Sequence, residues 1–407
     1  MNDPDAGTGL RRQKGSASEV FAAFLKLGLT SFGGPIAHLG YFRDELVVRR
    51  RWIDEKGYAD LVALCQFLPG PASSQVGFAL GLLRGGPLGA AAAWAAFTLP
   101  SAILLVLFAF ATAASGTTAA SDIVHGLKVV AVAIVAQAVW GMAKTLCPDR
   151  TRTGIALGAV LIVVFGQGAF AQVAAILAGG LAGLWVCRSD REAISGHLTF
   201  TISPTVGTVC LLLYAALLFG LPAAAAILQS QGITVFDSFY RAGALVFGGG
   251  HVVLPLLQSG VVEPGWVSTD TFLSGYGAAQ AVPGPLFTFA AYLGASLGPE
   301  PNGLLGAAIA LVAIFLPGFL LLVGVMPFWD ALRAQPNAQA FMRGSNAAVV
   351  GILGAALYQP IWTSAIAGPR DFALALACFL LLMIWKAPPW IVVVVAVFGG
   401  LAIGRMA

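Results

Sequence analysis

Charge is what this sequence has least of. Lys, Arg, Asp and Glu make up 10% of its 407 residues, where a soluble domain carries roughly 25%. No polar tract is long enough to fold as a soluble domain, 58% of the residues are hydrophobic, and the mean hydropathy is +0.86. These figures exclude an ordinary soluble enzyme and place the chain in a lipid bilayer as a polytopic protein. The five cysteines (Cys65, Cys147, Cys187, Cys210 and Cys378) are scattered, with no Cys-x-x-Cys pair and no spacing suited to zinc or iron–sulfur. They read as packing residues. Without clustered Cys or His, a membrane oxyanion reductase is disfavoured, and no cofactor or metal is expected. No Gly-x-x-x-x-Gly-Lys-[Ser/Thr] phosphate loop occurs, which argues against ATP-driven pumping by this chain. The net charge of +4 forms no basic face with interleaved aromatics, so no nucleic-acid partner is expected. The polar start, Met1 to Ser18, holds Arg11, Arg12 and Lys14, but the apolar run after it is soon interrupted. It is read as mature protein and not as a signal peptide.

What the sequence does hold is an interrupted pattern that occurs twice. Phe32-Gly33-Gly34 returns as Phe247-Gly248-Gly249, and Gln66-x-x-Pro69-Gly70-Pro71 as Gln280-x-x-Pro283-Gly284-Pro285. Trp52 matches Trp266, Leu99-Pro100 matches Leu316-Pro317, and Gly179-Gly180-Leu181-Ala182 matches Gly399-Gly400-Leu401-Ala402. The order is kept while the offset drifts from 215 (32 to 247) to 220 (179 to 399), as small loop insertions would make it do. An internal duplication follows. It predicts a polar tail (1–17), a first repeat (18–190), a lone apolar linker helix (204–228) and a second repeat (234–405).

Each repeat reads as a half-helix (18–31, then 239–247) entering a Gly break, a second half-helix, a polar loop, and an apolar segment entering Pro-Gly-Pro. A short apolar segment follows (72–83, 286–297), then two long spans (86–111 and 122–144; 301–326 and 343–360). Two short runs close the unit (153–166 with 168–187; 371–385 with 389–404), most of them below the ~20 residues that a span requires, and they read as a hairpin that crosses obliquely. One extra crossing between equal units turns the second upside down. Charge gives the same answer, because cytoplasmic loops collect Lys and Arg. Residues Arg43 to Arg51 are strongly basic, whereas their counterpart, Gln258 to Asp270, has no Lys or Arg. Residues 112–121 carry no charge, while 327–343 contain Arg333 and Arg343. Lys144, Arg150 and Arg152, then Arg188 and Arg191, put the other first-repeat loops on the basic side. The fold class is thus an all-α polytopic membrane protein. Its two inverted-topology repeats have broken, re-entrant helices at Gly-Gly and Pro-Gly-Pro, and a transmembrane linker helix joins them. The N-terminus is expected to be cytoplasmic.

The breaks carry the chemistry. Unpaired backbone is tolerated at membrane depth where it lines a cavity. Pro35 after Gly33-Gly34 and Pro71 after Gly70 mark helix starts, whose free N–H groups and partial positive charge favour anions. Inverted-repeat transporters place substrate at such half-helix ends; kinks or close helix packing are the plain alternative. Gly248, Gly249 and Gly284 hold the matching places. Lys26 and Arg241 are equivalent, each six residues before its Phe-Gly-Gly, in otherwise apolar segments. They either face a dianion or snorkel to the interface. Ser73, Ser74 and Thr288 could donate to oxyanion oxygens or cap their own helices. Gln66 and Gln280 precede the Pro-Gly-Pro breaks as candidate cavity residues. His38 and His251, near the Gly breaks, are candidates for proton coupling or structural histidines. Asp54, Glu55 and Asp60 read as a solvated face or as partners of Arg49 to Arg51.

The combination of Phe-Gly-Gly-Pro, Phe-Gly-Gly-x-His and two Pro-Gly-Pro breaks resembles the chromate ion transporter family in its long, two-domain form. The likeness covers the chain except the tail before Ser18 and the linker. It implies a multi-pass protein of the bacterial inner membrane that exports chromate and confers chromate resistance, with sulfate as a chemically similar dianion. From the residues alone, the substrate is a small oxyanion and the protein a secondary transporter. A sulfate transporter and an anion channel on the same scaffold stay open, and a homodimer is compatible with the sequence.

Overall fold

The computed structural model describes residues 15–114, 118–166, 168–188 and 202–406. Most of the polar tail, with Arg11, Arg12 and Lys14, lies outside them, as do Arg191 and part of the 112–121 loop. The described residues form helices and no strand. The first repeat holds α1 (Ala17–Thr30), α2 (Gly34–Phe42) with a π-helical continuation (Arg43–Arg49), α3 (Glu55–Phe67) and α4 (Ala72–Ala114), bent at Gly85 and Gly86. It ends with α5 (Thr118–Leu146), α6 (Arg150–Phe165) and α7 (Gly168–Val186). α8 (Pro204–Leu228) follows. The second repeat has α9 (Gln231–Ala244), α10 (Val253–Leu257), α11 (Thr269–Ala279), α12 (Phe289–Ala295) and α13 (Gly303–Val325). It continues through α14 (Trp329–Arg333), α15 (Pro336–Ala356), α16 (Thr363–Ala365), α17 (Pro369–Met383) and α18 (Pro389–Met406). Five stretches are long and apolar enough to cross a membrane: α4, α5, α8, α13 with α14, and α15 with α16. The chain is an all-α polytopic membrane protein.

Local chemistry explains the starts and stops. Ser16, Asp54, Asp149 and Ser203 each accept a first-turn N–H as N-caps of α1, α3, α6 and α8. α9 begins at Gln231, not at 239, and ends at Ala244. Its early turns contain Asp237 and Ser238, which break the apolar pattern yet are buried, Asp237 2.6 Å from Arg241 and Ser238 donating to the Gly260 carbonyl.

The halves pack alike at equivalent places. Gly28 of α1 lies against the backbone of Ala96 and Phe97 in α4, and Gly243 of α9 against that of Ile314 in α13; neither leaves room for a Cβ. Gly81 meets Gly89 as Gly294 meets Gly306. The Trp52 backbone N–H closes the π-helical segment Arg43–Arg49 on the Leu46 carbonyl (2.8 Å), as that of Trp266 closes the π-helical segment Gln258–Val262 on Val261 (3.0 Å). The closing hairpins are exchanged: α17 and α18 pack on α5, and α6 and α7 pack on α15. Glycines again permit the approach, Gly126 against Ala396 and Gly344 against Gly179.

The start of α1, the segment after α2 and the bend of α4 meet at one end. Arg84 pairs with Glu19 (3.0 Å), while Arg84 and Arg50 lie over the Trp52 ring, at 5.4 and 5.7 Å. The chain therefore leaves this end through α1, comes back to it after α2, and reaches it again at the bend of α4. The acids beyond the basic loop divide their roles. Asp54 caps α3 and Glu55 pairs with Arg43 (2.6 Å). Asp60 turns away from Arg49 to Arg51; it is buried and joins Arg333 of the second repeat (3.1 Å).

Candidate functional site

Each break is made by glycines in the left-handed region. Gly33 and Gly34 have φ of 99° and 80°, Gly248 and Gly249 of 76° and 142°, and Gly70 and Gly284 of 124° and 99°. The breaks of one repeat are fastened to those of the other. The Gly70 N–H donates to the Val246 carbonyl (2.8 Å), and the Gly284 N–H to the Ser31 carbonyl (2.9 Å). These bonds are reciprocal, since Gly70 matches Gly284 and Ser31 matches Val246. Pro35 also abuts Gly250, which brings the two Phe-Gly-Gly segments together. Their continuations differ. Pro35 stands in the first turn of the nine-residue α2, whose N-cap, Gly33, offers no side chain to the turn's N–H groups. The second break runs into a 3-10 turn, Gly250–Val252, before the short α10.

Where the breaks meet, a cavity of about 230 Å³ is lined by Gly33, Gly34, Ile134, Gln137, His251, Gln280, Leu382, Lys386, Ala387 and Pro389. Four of these (Gly33, Gly34, His251 and Gln280) are sequence candidates. The Nε2 of Gln280 is buried without a hydrogen-bond partner. His251 Nδ1 lies 2.7 Å from the Tyr276 hydroxyl. Lys386 occupies the turn between α17 and α18 with φ of 50°, and among the described residues no ion pair involves it. Trp390, just beyond, packs on Phe32 at 6.5 Å and ties that turn to the first break. The lining has a lysine, amides, a histidine and no carboxylate. This arrangement can surround a small anion with donors and one positive charge. The volume falls below the ~300–1,000 Å³ of pockets for drug-sized ligands.

The remaining candidates lie elsewhere. Lys26 sits 2.8 Å from Glu45, which also holds Arg49 (3.0 Å) and Arg50 (2.8 Å), and Arg241 holds Asp237. Neither cation lines the cavity. Gln66 is exposed. Ser73 and Ser74 are buried at the start of α4, with Ser73 Oγ 3.4 Å from His38 Nδ1. Thr288 donates to the Pro285 carbonyl (2.8 Å). Gly70 packs against Gly318, Gly284 against Phe97 and Ser101, and Gly248 beside Leu146; Gly249 has open space beside it.

Two polar lining residues escaped the sequence reading. Gln137 is a polar residue within the 122–144 span, and the rule that singled out Lys26 would have found it. Lys386 stands in an ordinary-looking turn before Pro388 and Pro389, and only the packing of α18 on α5 brings it to the break. Among the described residues, no group of three His, Cys, Asp or Glu is placed to hold a metal ion.

The family model described as chromate transporter matches this chain twice, over residues 18–184 and 233–401. A chromate transport protein of Pseudomonas aeruginosa is 31% identical over 346 residues, covering 84% of this chain and 80% of that protein. A probable chromate transport protein of Synechococcus elongatus is 31% identical over 347 residues, 84% of each chain. A chromate transport protein of Cupriavidus metallidurans is 29% identical over 389 residues, 92% of this chain and 90% of that one. No solved structure matches.

Proposed function

The chain belongs to the chromate transporter family, and from that premise we propose that it is a secondary transporter exporting chromate across the bacterial inner membrane. Export of this kind confers chromate resistance. It is not an enzyme. The observation that carries the reading is the cavity between the two Phe-Gly-Gly breaks, with Lys386, Gln280, Gln137 and His251 around it and no carboxylate in its lining. Gly33 and Gly34 let an oxyanion approach the backbone at the uncapped start of α2. Lys386 supplies one full charge, and the Gln280 amide a donor that is otherwise unsatisfied. The relatives named for chromate transport support chromate as the ion moved.

The two repeats are inverted in this reading, and the reciprocal Gly70–Val246 and Gly284–Ser31 bonds support it. The cluster of Glu19, Arg50 and Arg84 marks the cytoplasmic end, so the N-terminus is cytoplasmic. Alternating access then works by rocking one repeat against the other about a fixed site. Labelled chromate flux into inverted membrane vesicles tests the proposal. Saturable uptake that sulfate competes away is expected. Flux that rises linearly without saturation would instead mean a channel, and no chromate flux would remove chromate as the substrate.

A further inference from the structure

Around its breaks, the first repeat is polar where the second is apolar. Ser31, His38, Ser73, Gln75 and Thr98 stand where the second repeat has Val246, Val253, Phe287, Phe289 and Phe315. The equivalence is spatial as well as sequential. Ser31 and Val246 accept the reciprocal bonds from Gly284 and Gly70. Gly28 meets Phe97 as Gly243 meets Ile314, which sets Thr98 opposite Phe315. In the second repeat the rings pack together, Phe287 on Phe315 at 5.7 Å and Phe315 on Phe319 at 5.9 Å. An apolar filling is therefore open to this fold, and the first repeat does without it.

The polar set is sealed from solvent: Ser31, Gln75 and Thr98 are 0% exposed, His38 1% and Ser74 3%. Yet Ser31 Oγ, Ser74 Oγ, Thr98 Oγ1, Gln75 Oε1 and His38 Nε2 have no hydrogen-bond partner, and such groups in a native fold ask for an explanation. Their chemistry points one way. The Gln75 amide nitrogen donates to the Pro69 and Gly318 carbonyls (3.1 and 2.9 Å), which leaves Oε1, an obligatory acceptor. The His38 ring faces the Ser31 carbonyl, with Nδ1 3.4 Å from Ser73 Oγ. A ring that donates through Nδ1 keeps a bare acceptor at Nε2. The hydroxyls can serve either role. Gln75 Oε1 is thus an unpartnered acceptor, and His38 Nε2 is the one base among the unpartnered atoms.

We propose that His38 binds a proton inside the first repeat and that this proton is taken up together with the oxyanion. The proposal rests on the transport reading above. Titratable groups on the neighbouring elements are otherwise engaged. Tyr58 donates to the Leu39 carbonyl (2.6 Å), Cys65 is buried in α3, Lys26 pairs with Glu45, and Arg43 with Glu55. Among the described residues, none of them hydrogen-bonds or ion-pairs with His38. An imidazolium here has no carboxylate to balance it. The nearest counter-charge is a dianion at Gly33-Gly34, at the start of the same helix. Proton and anion then favour each other's binding reciprocally.

The test is anion binding by the purified full chain across about pH 6 to 8, where an imidazole titrates. Chromate and sulfate are run in parallel, because sulfate stays dianionic throughout. Acidification should tighten binding of both, with proton uptake of about one per anion read by a pH indicator. His38→Gln should bind with little pH dependence and no proton uptake. Ser73→Ala, which keeps the ring, should shift the midpoint without abolishing the dependence. Wild-type affinity that ignores pH, His38→Gln with the wild-type pH profile, or sodium replacing the proton would each overturn the proposal. Should neither anion bind, the transport reading fails, and a substrate-free measurement still decides the proton site. The ¹⁵N imidazole signals of wild type, compared with His38→Gln, should show His38 titrating reversibly. An His38 signal that stays neutral until the protein unfolds would overturn the proposal.

Discussion

At the end away from its breaks, the first repeat gathers Glu19, Arg50 and Arg84 around Trp52. The second repeat has Thr234, the Pro264-Gly265 turn and Gly298 at the matching places around Trp266. The backbone course around the tryptophan is similar in both. Each tryptophan N–H closes the π-helical segment, and the Gly298 N–H, at the place of Arg84, donates to the Trp266 carbonyl (2.8 Å). Geometry is thus held by backbone bonds and by glycines that let helices touch, whereas charge is carried by side chains the geometry does not need. One fold can then be used twice, with charge at this end in one half and none at the matching places of the other.

If glycine contacts set the shared frame, filling them should cost most. Gly243→Leu would drive a side chain into the Ile314 carbonyl, and Gly28→Leu into the Ala96 carbonyl. Each should lose about 3 kcal/mol or more, read as loss of monodisperse protein in detergent, with Gly243 the worse because its helix lies closer. Near-normal yield of both would break the comparison at its base.

The equivalent cations should separate next. Arg241→Ala strands Asp237, whose side chain is 3% exposed, although the 43% exposure of Arg241 tempers the loss; about 1–3 kcal/mol is expected. Lys26→Ala leaves Glu45 with Arg49 and Arg50 and should cost under about 1 kcal/mol. Thermal unfolding of the two variants decides the order. Equal losses would mean that the two pairs do equivalent work.

The smallest effect on stability sharpens the site itself. Gln280→Leu removes a buried donor that has no partner. Its melting temperature should hold or rise, while its transport KM for chromate rises about 2- to 10-fold, the value of a neutral hydrogen bond. A variant that melts earlier with an unchanged KM would make Gln280 structural.

Much of this was legible in the sequence, because Gly and Pro interrupt helices by local rules. The positions of Gly33, Gly34, Gly70, Gly248, Gly249 and Gly284 needed no tertiary information. The lone apolar run at 204–228 is likewise local, and α8 spans Pro204–Leu228. What stayed hidden depends on which segments meet. Glu45 looked like part of a basic loop, yet it turns inward to Lys26. Asp60 reaches Arg333 across 273 residues. Asp237 and Ser238 disguised the start of α9, since a buried polar pair reads in sequence like a loop. Lys386 joined the site through the exchange of closing hairpins, an arrangement that no local pattern encodes.

The central claim is that the oxyanion sits between the two Phe-Gly-Gly breaks, under the Lys386 turn. Equilibrium binding of labelled chromate to purified wild type, Lys386→Ala and Lys26→Ala tests it most directly. Saturable, sulfate-competed binding should weaken about 10- to 100-fold in Lys386→Ala, the loss of a charge-assisted contact, and should stay within about twofold in Lys26→Ala. Binding lost in Lys26→Ala but kept in Lys386→Ala would contradict the claim and return the site to the half-helix cations.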